Sequence, residues 1–136
     1  MTRQQRDVVQ ATGSAILSDV RFADRFYDRL FALAPETRHL FRDDLSALKL
    51  KFLNTLASLV GLVERPDMFR SILHHLGRQH GRFGVEDAHY GPVGLALEAT
   101  LAEMLGERFT ADARDGWAAL YAEVARHMKE GAREDR

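Results

Sequence analysis

His80 is the residue in this sequence best placed to do chemistry. Phe69, Ile72, Leu73, Leu76 and His80 recur at spacings of 3, 1, 3 and 4, which at about 3.6 residues per turn sets them in one narrow sector of a helix. His74 and His75 point away from that sector. An imidazole that closes an apolar stripe, just before Gly81 and Gly84 let the chain turn, is placed to hold a metal in a dry cavity. The same pattern also describes a hydrogen-bonded core histidine, and spacing alone does not choose between the two.

The elements that must position this histidine are all helical by pattern. Apolar residues recur at 3 and 4 through almost every segment, and only three prolines interrupt them. A first helix from about Thr2 to Leu17 carries Val8, Val9, Thr12 and Ile16 on one face, and Ser18 with Asp19 breaks it and caps the next. The second, from about Val20 to Leu33, buries Phe22, Phe26, Leu30 and Leu33. Tyr27 and Phe31 lie one position round, so a phenol is carried inward within an aromatic wall. Pro35 opens a short helix ending near Leu40 and Phe41. After a polar corner at Arg42, Asp43 and Asp44, the stripe Leu45, Leu48, Phe52, Leu56, Leu59 and Val63 marks a further helix. Asp87 is expected to cap a long helix through Leu105, with Pro92 in its first turn and Gly106 as its stop. Thr110 is expected to cap the last, whose inner face is Trp117, Leu120, Tyr121, Val124 and Met128. About seven helices in an all-α domain suit a generic bundle as well as any particular helical fold.

Composition narrows the partners. One domain spanning 1–136 is expected from the length, with a charged, frayed tail over about 129–136. Nineteen basic against twenty acidic residues give no field to draw nucleic acid or an anionic membrane. No cysteine is present, which removes disulfides, thiolate ligation and cysteine nucleophiles. No apolar run has signal-peptide or membrane-spanning length, so the expected setting is cytoplasmic.

His80, Gly84, Val85, Tyr90, Val93 and Gly94, in the spacing H-x3-G-V-x4-Y-x2-V-G, resemble the proximal segment of bacterial globins: the haem domain of flavohaemoglobins and the single-domain haemoglobins related to it. Phe26 to Phe41, FYDRLFALAPETRHLF, is similar to the second and third helices of that family, and Asp115 to Tyr121, DGWAALY, to its last. The resemblance implies a globin fold around haem b, with His80 as the proximal iron ligand and the sixth position open to a diatomic gas. It implies that Tyr27 donates a hydrogen bond to that gas and that Phe41 packs on the haem face. Without a gap, it sets Leu48 where relatives often carry glutamine or histidine and Phe52 where they carry leucine. Phe26, Phe31, Val85, Val93, Leu97 and Tyr121 match positions lining the pocket, though each is equally explained as core.

Two details of the resemblance bear on chemistry. In flavohaemoglobin-like proteins a tyrosine and a glutamate bond to the proximal histidine and make it more basic. Tyr90 matches the tyrosine, but Ala132 occupies the glutamate's place, with Glu130 and Glu134 two residues to either side and so about 200° round the helix. No histidine occurs between His39 and His74, so ligation of the iron by two histidines is not expected; Lys49 and Lys51 flank the distal stripe as snorkelling side chains. Among Arg78, Gln79 and Arg82, one is expected to meet a haem propionate.

The implied function is reversible binding of O2, CO or NO. Oxygen storage or delivery is favoured; oxidation of nitric oxide needs a separate reductase, and gas sensing or a haem-free regulatory role acts through a protein partner. Whether the chain is a monomer or a homodimer stays open.

Overall fold

The computed structural model describes residues 1–41 and 44–134. Six α-helices carry the chain: α1 (Arg3–Ile16), α2 (Val20–Leu33), α3 (Leu45–Gly61), α4 (Pro66–Arg82), α5 (Tyr90–Leu105) and α6 (Ala111–Glu134). Short 3-10 turns at Pro35–Leu40, Asp87–His89 and Gly106–Arg108 join three of the connections, and no strand occurs among the described residues.

Local chemistry sets most of the boundaries. Thr2 and Gln5 form a reciprocal capping box at the start of α1, and Asp19 accepts from the Arg21 amide to begin α2. Thr110 accepts from the Ala113 amide to begin α6. Gly84 and Gly106 take φ of 94° and 57°, the left-handed region that glycine enters without penalty, so the chain reverses after α4 and after α5. Asp87 does not cap α5 as expected. Glu86 instead forms a box with His89, and Asp87 pairs with Arg133 on α6 at 3.1 Å.

α6 lies along α4 and α1, while α2 lies against α5 and α3. One core joins them, centred on Val9, Phe22, Leu30, Leu73, Leu101, Trp117 and Leu120. A buried polar link crosses it: the Trp117 indole donates to the Thr12 hydroxyl at 2.9 Å, and that hydroxyl donates to the Val8 carbonyl at 2.7 Å. Thr12→Val leaves the indole N–H buried and unpaired, so a loss of about 1–3 kcal/mol is expected in urea unfolding, with Thr12→Ser close to wild type.

Two expectations are corrected by the packing. Leu33 is 53% exposed, because α2 ends there and the chain turns at Ala34 instead. Residues 129 to 134 are not frayed: they complete α6, with Gly131 buried against α4. His74, expected only to point away from the His80 stripe, does so into the α6 interface, where it is 8% exposed. The polar corner at Arg42 and Asp43, and the last two residues, lie outside the described residues.

Candidate functional site

α4 has two working faces. Phe69, Leu73, His74 and Gly77 are buried, and Gly77 meets the backbone of α6. Ile72 and Leu76 are half-buried and His80 is exposed. His80 nonetheless loses solvation to the protein around it, which lowers its pKa; the Leu76 carbonyl opposes that shift and the Lys51 ammonium on α3 adds to it. The ring is thus accessible at the surface yet desolvated by the groups packed around it. Its Nδ1 donates to the Leu76 carbonyl at 2.7 Å, which fixes the ring and leaves the Nε2 lone pair for a ligand.

The distal wall is aromatic. Tyr27 packs edge-on against Phe26 at 5.2 Å, Phe41 at 5.2 Å and Phe52 at 5.7 Å between ring centres, with Phe31 tilted at 5.9 Å. Phe26 and Phe52 stack at 4.4 Å. These contacts bring α2, α3 and the chain after the Pro35 turn to one place, and they hold the Tyr27 ring in a single orientation. Burial raises the Tyr27 phenol to about 12, so it is a neutral donor at any physiological pH. Among the described residues its hydroxyl has no hydrogen-bond partner.

Beyond the histidine turn, Val85, Tyr90, Val93 and Tyr121 are half-buried and Leu97 is buried. Tyr121 donates to the Tyr90 carbonyl, and a Cβ at Gly94 would stand 2.7 Å from the Tyr121 ring, so glycine there is what admits the ring beside α5. Burial, with the Asp87 charge, raises Tyr90 to about 12. The Lys129 ammonium sits over the Tyr90 ring at 5.5 Å.

Glu130 and Glu134 do not replace the missing proximal glutamate. Glu130 lies 3.3 Å from His74 and 3.5 Å from Arg126, and Glu134 lies 3.1 Å from His74 and 3.5 Å from Arg78. The expected position is filled by the methyl group of Ala132, which faces Gly81. Arg78 is thus engaged on the α6 side, and Gln79 is half-buried beside His80. Lys49 pairs with Asp24 at the surface at 3.0 Å, whereas Lys51 is near enough to His80 to act on its charge. The roles of His74 and Lys51 were missed by sequence reasoning; an i, i+3, i+4 reading from Leu48 through Lys51 to Phe52 carries the signal for Lys51.

The residues fit a haem. An imidazole with a free Nε2, a donor hydroxyl with no protein partner, and partly exposed apolar side chains from five helices are what a flat, apolar, metal-bearing ring requires.

Comparison with known proteins agrees. The globin family model matches residues 24–128. The flavohemoprotein of Rhizobium meliloti (strain 1021) is 25% identical over 130 residues, covering 92% of this chain and 32% of its own. That of Bordetella pertussis is 27% identical over 129 residues with the same coverage. The chain therefore spans about a third of the length of these curated relatives. An engineered carbene transferase from Rhodothermus marinus, named as a candidate nitric oxide dioxygenase, superposes with a TM-score of 0.87 at 25% identity over 98% of this chain and 94% of its own. The flavohemoglobin of Malassezia yamatoensis, solved with FAD and heme, superposes at 0.81 with 19% identity over 98% of this chain and 37% of its own. With about three quarters of its length matched by the family model, the chain belongs to the globin family.

Proposed function

We propose that this globin domain binds a diatomic gas reversibly at a haem held by His80. The observation that carries the reading is the fixed His80 imidazole on α4 with its Nε2 free; the buried Tyr27 phenol on α2, without a hydrogen-bond partner among the described residues, supports it. When bound, the haem supplies an iron with one position open to O2, CO or NO. The protein's part is orientation and exclusion. The Leu76 carbonyl aims His80, the Phe26, Phe41 and Phe52 rings keep water out, and Tyr27 offers its hydroxyl to the gas. Leu48 and Phe52 supply no second donor, so Tyr27 acts alone.

One such hydrogen bond contributes about 1 kcal/mol or somewhat more when its acceptor carries partial charge. Tyr27→Phe is therefore expected to raise the oxygen dissociation rate roughly tenfold while changing carbon monoxide release much less. Stopped-flow displacement reads both rates. Equal effects on the two gases would make Tyr27 a packing residue and remove the reading's distal half.

A second reading, nitric oxide dioxygenation with a separate reductase, is favoured by the candidate nitric oxide dioxygenase among the structural relatives. Against strong activation stands Ala132 in the glutamate's place, with Glu130 and Glu134 tied to His74. Among the described residues it is the Leu76 backbone carbonyl that raises the basicity of His80, so carriage of the gas is the preferred role. The oxygenated protein is mixed with nitric oxide and a generic reductase. One turnover followed by arrest is the outcome for a carrier; sustained consumption favours the enzyme.

A further inference from the structure

A second cluster of ligating groups lies on another face of α4, under α6, where the gas site makes no use of it. His74 Nε2 stands 3.3 Å from Glu130 Oε2, and His127 Nδ1 stands 3.6 Å from the same oxygen. The three ligand atoms all fall within 4.8 Å of one another. His74 and His127 are 8% and 9% exposed, and those two ring nitrogens are buried without a hydrogen-bond partner. The two buried imidazole nitrogens face one carboxylate at ion-pair distance but without hydrogen-bond geometry, so their lone pairs are incompletely used. A cation between them satisfies both.

The spacing matches one coordination geometry. A tetrahedral ion with bonds of about 2.0–2.1 Å holds its ligand atoms about 3.3 Å apart. Two of the three edges are already 3.3 and 3.6 Å. Two nitrogens and one carboxylate oxygen select zinc or a similar first-row divalent ion over calcium or magnesium, which take oxygen ligands. The outer shell is in place as well: His74 Nδ1 lies 3.1 Å from Glu134 Oε1, the carboxylate contact that fixes a ligating ring's tautomer. Arg126 Nη2 lies 3.4 Å from His127 Nε2, and because its side chain is exposed it can swing away when that nitrogen carries the proton. His127 also borders a recess with Phe69 and Glu123, which gives an ion a way in.

We infer that His74, His127 and Glu130 form a zinc-type cation site, with water in the fourth position, that staples α4 to α6. It is separate from His80, which lies six residues further along α4 and about 120° round it. Binding to the folded state alone raises the thermal midpoint in proportion to the logarithm of the zinc concentration.

Zinc sulfate is titrated calorimetrically into the full chain carrying haem, and again into the haem-free chain. One equivalent is expected in both forms, with His74→Gln, His127→Gln and Glu130→Gln each weakening it by about tenfold or more. His75→Gln, on an exposed ring, is expected to leave it unchanged. Glu130→Gln alters a partly exposed carboxylate and keeps its shape, so it decides the matter even where the buried histidine variants fail to fold. No binding at millimolar zinc, or equal binding in Glu130→Gln, would overturn the site. The gas reading is independent of either result.

Discussion

Gly77→Ala is expected to destabilise the fold by more than about 3 kcal/mol and to abolish haem retention with it. A Cβ at Gly77 would lie 2.0 Å from the Met128 carbonyl oxygen, and one at Gly131 would lie 2.2 Å from the His74 carbonyl oxygen. Both obstacles are backbone, so neither yields by a rotamer change. α4 and α6 would have to separate by more than about 1 Å along their length, unpacking Phe69, Leu73, Met128 and Trp117 and shifting the turn that carries His80. Gly131→Ala should behave alike. Gly61→Ala is the control: no atom lies within 4 Å of the added methyl and the residue is helical, so its stability should match or exceed wild type by about 0.5 kcal/mol. Urea unfolding of the three variants checks the ranking.

His80→Gly is expected to weaken haem affinity by more than about 100-fold, beyond what is lost when only a ligand's outer partner is removed. No neighbouring side chain replaces the imidazole. His75 is exposed, His89 Nδ1 accepts from the Glu86 amide, and His74 and His127 are held beside Glu130 between α4 and α6. Imidazole supplied in the buffer is expected to restore the spectrum, because the cleft that the ring leaves is already shaped and the aromatic wall on α2 and α3 does not depend on it. Failure of the rescue with the helical content intact would mean that His80 holds the turn's shape and does not ligate.

α2 was legible in the sequence because several signals agree there: a capping aspartate, an aromatic stripe at 3 and 4, and Pro35 beyond its end. His80, Tyr27 and Phe41 are nominated by the resemblance; the structure packs Tyr27 against Phe41 and fixes the His80 ring on the Leu76 carbonyl. α4 was only half legible. Its buried residues lie on the face that α6 covers, while Ile72, Leu76 and His80 lie on a more open one. Counting residues cannot say which face receives protein and which receives a cofactor; it sets His74 off the His80 stripe but does not show that α6 covers it beside His127 and Glu130. The tail was misjudged for a related reason. Residues 129–134 are rich in charge, yet Gly131 and Ala132 between those charges let α6 close on α4, and each glutamate finds a histidine or arginine there.

An absorption spectrum of the wild-type protein purified with haem supplied, reduced and then exposed to carbon monoxide, tests the central claim most directly. A five-coordinate ferrous spectrum that converts fully with the gas is the expected result, since His80 offers one free Nε2 and neither Leu48 nor Phe52 can ligate. A chain that retains no haem, or a low-spin spectrum of two-histidine ligation that carbon monoxide does not convert, would contradict it.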